Sequence, residues 1–428
     1  MLSSKLIASN KAAPAPSSVY WGEGWYTRIS DSAVASVVDS NENIYVLSSA
    51  YTNFINKVLV SKFTPAGFLV WRKYFNFVNT ANEDPTFVTI DSSNNIYWAS
   101  YVSNAARVTK IDTNGNVLLA FQANNAGLGG VVGWSSVKVD ASGNIYAAGR
   151  VGSLDDGRVM KFDSSGVKQW EVVYSSSYAD RANAIALDSS GNVFVAGMSR
   201  NTSSDFNVRK FNNSGTQQWN QGLTSSGTNT DVAYGIGIDS SDNVYASGTI
   251  TNSGVTAIAV VKYNNSGTLQ WQRMLYNAYN QAQNSNSLVV DENNDIFITG
   301  QSRDATRPYA FVAKYNSSGV LQWQNQLYRS DGTNNYGRGI TVDSESIYIS
   351  GYYNASGSGA QTAFIVKLPK DGQTSVETWP FIYGTASLTE TAGPLTSNTP
   401  IDTTSTPSAT VSSLSYTVYN VTYLQPLE

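Results

Sequence analysis

Asp39, Asp91, Asp140, Asp188, Asp239, Asp291 and Asp343 stand 48 to 52 residues apart, and each is followed by a lysine: Lys62, Lys110, Lys161, Lys210, Lys262, Lys314 and Lys367. A carboxylate near an ammonium can hold an ion, move a proton or cap a turn. Seven copies favour capping, because a reaction needs its pair once whereas a turn must be closed in every repeat. Missing residue types narrow the rest. The chain has no Cys and no His, which removes thiolate nucleophiles, Ser-His and Cys-His dyads, disulfides and the commonest zinc and transition-metal ligands. The acidic run DENND at 291–295 is a poor calcium loop, since Ile296 and Ser302 stand where an EF-hand needs Gly and Glu. GLGGVVG at 127–133 has Val132 at the third glycine site of a dinucleotide fingerprint. No catalytic, cofactor-binding or metal-ligating residue is assigned, and no cofactor is expected.

The elements around these residues share their period. Each unit opens with a short apolar strand ending at the Asp. A tight turn follows, then a strand with Tyr45, Tyr97, Tyr146, Phe194, Tyr245, Phe297 or Tyr348 at one place. A third strand carries the Lys, and five residues on comes Gly67, Gly115, Gly166, Gly215, Gly267, Gly319 or Gly372. A fourth strand has Trp nine residues after the Lys at Trp71, Trp170, Trp219, Trp271 and Trp323; Leu119 replaces it in the second unit, and Trp379 stands twelve residues on in the seventh. Four short strands, written seven times, predict an all-β fold: a seven-bladed β-propeller of four-stranded antiparallel blades. A lone blade cannot bury both faces, so the recurring aromatics are expected between blades, each hiding roughly 150–250 Å².

This reading divides the chain into an N-terminal arm (1–23), the propeller (24–384) and a Ser/Thr-rich C-terminal arm (385–428) that ends in a strand. GWYTRI at 24–29 has the pattern of a Trp-bearing strand and no blade of its own. It is expected to complete or extend the seventh blade as a clasp, an eighth, partial blade being the competing reading.

The unit D-x-x-G-N-I/V-Y/F-x-x-G, then K-F/Y-x-x-x-G-x-x-x-W, resembles the SBBP-type β-propeller repeat family over roughly residues 33–384. The resemblance implies a binding module exposed to the outside of a cell or particle, and no catalytic residues carry over. FDSSGVKQW at 162–170 also resembles the docking motif of quinoprotein propellers, but the resemblance implies a cysteine-flanked quinone site, and this chain has no Cys.

A net charge of −4 opposes a phosphate backbone, so nucleic acid is not an expected partner. No stretch has the length of a membrane span, and the N-terminus lacks the apolar run of a secretory signal. The turns after the first and third strands are short and uniform. The other connections, on the opposite face of the disc, vary, and function concentrates on such loops. That face is expected to hold Arg150, Tyr178, Arg181, Arg200, Tyr279, Arg303, Arg307, Tyr309, Arg329, Tyr336 and Arg338, types enriched in interfaces. The resulting expectation is a non-enzymatic structural or adhesion protein of a larger assembly, a virion component such as a phage tail, fibre or appendage. Its terminal arms would contact other subunits and its long loops a glycan or receptor. The competing expectations are a surface or secreted carbohydrate-binding propeller and a glycan hydrolase or lyase.

Overall fold

Period-two alternation broken by Asp-led turns yields four antiparallel strands per repeat. In the computed structural model, the first repeat forms strands Ser30–Val38, Ile44–Thr52, Ile55–Phe63 and Leu69–Phe77, hydrogen-bonded in that order. Six further sheets repeat this arrangement, and Ser30–Val38 packs against blade seven, closing a seven-bladed β-propeller. The structure describes residues 21–25, residues 30–373 apart from short connecting stretches, and six strand segments between Phe381 and Asn420. Among the described residues, no helix is long and apolar enough to cross a membrane.

The Asp-led turn is a cap repeated in each blade. Asp39 Oδ1 accepts the amides of Asn41 (2.9 Å) and Asn43 (2.8 Å), and its Oδ2 accepts the hydroxyl of Tyr45 at 3.1 Å. Tyr97, Tyr146, Tyr245 and Tyr348 donate in the same way to Asp91, Asp140, Asp239 and Asp343. Where the hydroxyl is absent, at Phe194, the Lys210 ammonium stands 3.5 Å from Asp188.

The Trp closes the seam to the next blade. Trp71 Nε1 donates to Thr113 O (3.2 Å), Trp170 to Asn213 O (2.8 Å), Trp219 to Asn265 O (3.0 Å) and Trp271 to Ser317 O (3.2 Å). Those carbonyls belong to the Gly-bearing turn of the following blade. The indole also lies flat against the glycine itself: Gly319 has φ +76°, and a Cβ there would sit 2.6 Å from the Trp271 ring. Both left-handed backbone and missing space therefore demand glycine. The apolar cores run between blades rather than within them. One joins Phe194, Phe206 and Val208 of blade four to Val244, Ala259 and Tyr263 of blade five.

Closure at blade seven uses the N-terminus, with a corrected register. The pairing strand is Trp21–Trp25, bound to Gln361–Pro369, and Trp21 stands opposite Lys367. In the other blades Lys62 faces Trp71, Lys262 faces Trp271 and Lys314 faces Trp323, so Trp21 holds the seventh Trp position. Residues 26–29 of the expected clasp, and Trp379, lie outside the described residues. The aligned pattern is legible afterwards: Trp21, Trp25 and Tyr26 match Trp271, Leu275 and Tyr276.

The C-terminal arm does more than end in a strand, and its first described strand starts at Phe381, four residues before the expected boundary at 385. Phe381–Thr385, Leu388–Thr391, Thr396–Asn398, Thr403–Ser405, Val411–Ser413 and Tyr416–Asn420 add a fifth, outermost strand to blades six, five, four, three, two and one in turn. Tyr416–Asn420, for example, pairs antiparallel with blade one, Tyr416 opposite Phe77 and Asn420 opposite Lys73. The arm is a belt around its own ring, its described strands hydrogen-bonded within this chain. Open strand edges are templates for unwanted pairing, and the belt covers six of them.

The loops are also shorter than the sequence implied. Strands Val193–Arg200 and Ser204–Phe211 absorb most of SRNTSSDF, and Ile145–Gly152 and Asp156–Phe162 absorb most of VGSLDDGR. The repeating ladder outruns the irregular composition because main-chain pairing is indifferent to Ser and Asn side chains at strand ends.

Candidate functional site

Each innermost strand carries one β-bulge, at the same place in all seven blades. The register steps between Ala33 and Ala35, Pro85 and Phe87, Trp134 and Ser136, Ala182 and Ala184, Ala233 and Gly235, Ser285 and Ser287, and Gly337 and Gly339. A bulge re-aims the extra side chain. Here the extra residues are Val34, Thr86, Ser135, Asn183, Tyr234, Asn286 and Arg338, and all seven line one central cavity of about 340 Å³. Repeats that agree at the seams thus differ most where they converge.

Three of these residues also tie the ring together. Thr86 Oγ1 donates to Trp134 O (2.8 Å), Asn183 Nδ2 to Ala233 O (2.9 Å) and Asn286 Nδ2 to Gly337 O (2.7 Å). Each acceptor is the residue before the next blade's bulge. Lys138 lines the same cavity, at a level where the other blades hold Val37, Thr89, Ala186, Gly237, Val289 and Thr341. Its ammonium sits 5.5 Å from the centre of the Phe87 ring, and burial pushes its pKa down. Burial pushes the Tyr234 phenol up, against the opposing pull of Arg181 and Arg338.

Blades six and seven carry an interleaved array of arginine and tyrosine toward the long-loop face. The Arg338 guanidinium lies 5.3 Å from the Tyr352 ring centre and donates to its hydroxyl at 3.4 Å. Tyr336 stacks on the same ring, with centroids 4.7 Å apart. Arg307 lies 4.8 Å over Tyr328, and Arg329 lies 4.2 Å over Tyr353 while pairing with Asp331 at 2.8 Å. Arg303 closes the strand Ile296–Arg303 beside them.

Between blades three and four a second cluster forms. Asp155 accepts Arg150 at 3.1 Å and Arg181 at 2.6 Å. Neighbouring Asp156 has its carboxyl pushed up to about 6, first by burial and then by the negative charges of Asp180 and Asp155.

Of the residues expected to meet a partner, the structure therefore groups Arg307, Arg329, Tyr336 and Arg338 in one array, and Arg150 with Arg181 in another. Arg200 ends its strand; Tyr178 and Tyr279 lie outside the described residues. Tyr309 is corrected: it is 3% exposed and packs in the core between blades five and six, because strand alternation turns it inward. DENND serves the fold. Asp291 Oδ1 caps its turn, and Lys370 bridges Asp291 (2.9 Å) and Glu292 (3.0 Å), while Asp295 pairs with Lys314 at 2.7 Å. Sequence reasoning missed Tyr234, Lys138 and the supporting Tyr328, Tyr352 and Tyr353. Aligning the repeats at the innermost strand, where one position runs through six residue types, would have exposed the first two.

No model of a known protein family matches this chain. It is 25% identical over 293 residues to an uncharacterized WD repeat-containing protein of Acanthamoeba polyphaga mimivirus, an alignment covering 63% of this chain and 18% of that protein. The chain thus spans less than a fifth of that relative's length. Among solved structures it is similar to a virginiamycin B lyase from Staphylococcus aureus, with TM-score 0.54 and 11% identity over 82% of this chain and 100% of that one. It is also similar to an ulvan lyase, with TM-score 0.51 and 10% identity over 82% and 96% of the two chains. At these identities the likeness to the two lyases is one of fold, and the fold is a seven-bladed β-propeller.

Proposed function

We propose that this propeller is a non-enzymatic structural or adhesion component of a larger assembly, a bacteriophage virion part such as a tail, fibre or surface appendage, which meets its partner through the long-loop face. The belt carries this reading. With the outer edges of six blades hydrogen-bonded to the chain's own C-terminal strands, the edge left open at each of those blades is only three to five residues long, and very short edges are poor templates for strand addition. The short-turn face is occupied with capping its own carboxylates, so the disc offers its other face. There the exposed Arg338 and the half-buried Arg307, Tyr328 and Tyr336 present planar donors beside aromatic rings, the chemistry of interface hot spots, while Tyr352 and Tyr353 are buried. The matched WD repeat-containing protein is a viral one, which supports a viral setting.

Mass spectrometry of purified particles from the same source tests the proposal. The chain is expected at a fixed stoichiometry in them; its recovery solely as free monomer would refute it. A second reading, a surface or secreted carbohydrate-binding propeller, is favoured by the same array, since aromatic faces flanked by donors also suit sugars. Retention on immobilised glycans by free protein, with none in particles, would select it.

A further inference from the structure

The central cavity has a charge opposite to that of the protein. The chain carries a net charge of −4, yet no Asp or Glu lines the cavity, while Lys138 and Arg338 both do. Neither cation forms an ion pair among the described residues. Lys138 has a phenyl ring for company, and Arg338 has the tyrosines of blade seven. A half-buried ammonium without a counterion loses part of its hydration, and an arriving anion offsets that cost. Low-dielectric walls carrying one sign of charge also concentrate ions of the other sign.

The remaining polar groups refine the ligand class. Asn183 and Asn286 use their Nδ2 atoms to hold the next blade, which leaves their Oδ1 atoms as acceptors. Ser135 and Tyr234 add hydroxyls to the same lining, and Phe87 an apolar face. Acceptors for hydroxyls, a ring face and two cations at once suit a small polyhydroxylated molecule bearing a carboxylate. A cavity of about 340 Å³ falls within the size range of small-ligand pockets.

We propose that the central channel is a binding site for a single acidic sugar of the uronic acid class, its carboxylate drawn in by the positive field that Lys138 and Arg338 give the cavity and its hydroxyls met by Asn183, Asn286 and Tyr234. This site shares Arg338 with the partner-binding face, but its test reads a small ligand and does not depend on that face meeting a partner. The seven bulges make it: each re-aims one side chain inward, and the divergence of the repeats at that position supplies the mixture of charges, amides and a phenol that a symmetric ring could not.

Isothermal titration of the full chain with glucuronate, glucose and inorganic sulfate, each as sole ligand, tests the assignment. Glucuronate is expected to bind with a stoichiometry of one, at least tenfold tighter than glucose or sulfate. Lys138→Met keeps the aliphatic stem against Phe87 and removes the charge, and Arg338→Gln does the same at an exposed position. Each is expected to weaken glucuronate at least tenfold, with glucose unaffected. Equal binding of glucuronate and glucose overturns the proposal, and sulfate binding as tightly as glucuronate overturns the sugar class. Should Lys138→Met fail to fold, unchanged affinity in a folded Arg338→Gln, checked by its melting temperature, overturns it equally.

Discussion

Asp239 on one face of the disc and Asp156 on the other are held in opposite ways. On the short-turn face, Asp239 accepts Ser241 N, Asn243 N and the Tyr245 hydroxyl, with Lys262 3.4 Å away. Burial alone would raise its carboxyl, but the hydrogen bonds from Asn243 and Tyr245 hold it below the ordinary value. On the long-loop face, Asp156 has its carboxyl raised to about 6 by burial and by the charges of Asp180 and Asp155. One face closes its seven repeat-leading carboxylates as caps. The other pairs Asp155 and Asp331 with arginines but leaves Asp156 unbalanced, and imbalance of that kind is what a ligand or partner can answer.

Breaking the balanced face should cost most. Asp239→Ala removes the acceptor of a buried phenol and two turn amides, and is expected to lower stability by about 1–3 kcal/mol in urea unfolding, with the slope unchanged. An equal effect from Asp156→Ala would erase the contrast between the faces. Next comes the seam that supports the balanced face. Gly319→Ala forces a side chain into left-handed backbone and against Trp271, for an expected loss of about 1–3 kcal/mol. The matching change at Gly254, which has positive φ but open space, should cost only the backbone share, about 1–2 kcal/mol.

A pH series then sharpens the comparison, because the two kinds of carboxylate have opposite signs. The Asp239 contribution is present above its ordinary unfolded value and is lost as pH falls through its depressed folded value. Asp156 behaves the other way: ionised, it costs stability above about pH 6, and that cost fades as pH falls toward the ordinary carboxylate range. Asp156→Asn should therefore raise the melting temperature at neutral pH and leave it unchanged near the unfolded carboxylate pKa. A larger gain in acid than at neutral pH would contradict the assigned sign. The smallest expected effect on stability is at Arg307→Ala, whose side chain rests over Tyr328. A loss of about 0.5–1 kcal/mol in thermal unfolding is expected, with weaker capture of the partner by particles or glycans as the functional readout.

How much of this was legible beforehand follows from the length scale of each interaction. Caps and seams lie within one repeat or between adjacent repeats, so Asp, Tyr, Lys, Gly and Trp at fixed offsets announced them. Their roles could be read because seven copies argued for structure over chemistry. The Arg and Tyr residues of the long-loop face were legible by type and by face, but not by neighbour. Arg329 meets Tyr353 and Arg338 meets Tyr352 because a strand pairing sets which rings stand opposite. Tyr309 was misplaced because the connection before it is shorter than its composition suggested, and strand alternation turned it into the core.

The sequence by itself determined the number of blades, the strands within them and the residues that weld one to the next, since each depends on a period written into the chain. Only the tertiary structure decided the rest. Main-chain pairing carries no side-chain signature, so a Ser/Thr-rich tail could become a belt and Trp21–Trp25 could take the seventh outer place without a motif to announce either. Ring closure likewise brought Thr86, Lys138, Asn183, Tyr234, Asn286 and Arg338, separated by up to 252 residues of chain, to one cavity. No local pattern could convey that, because convergence at the axis is a property of the closed ring.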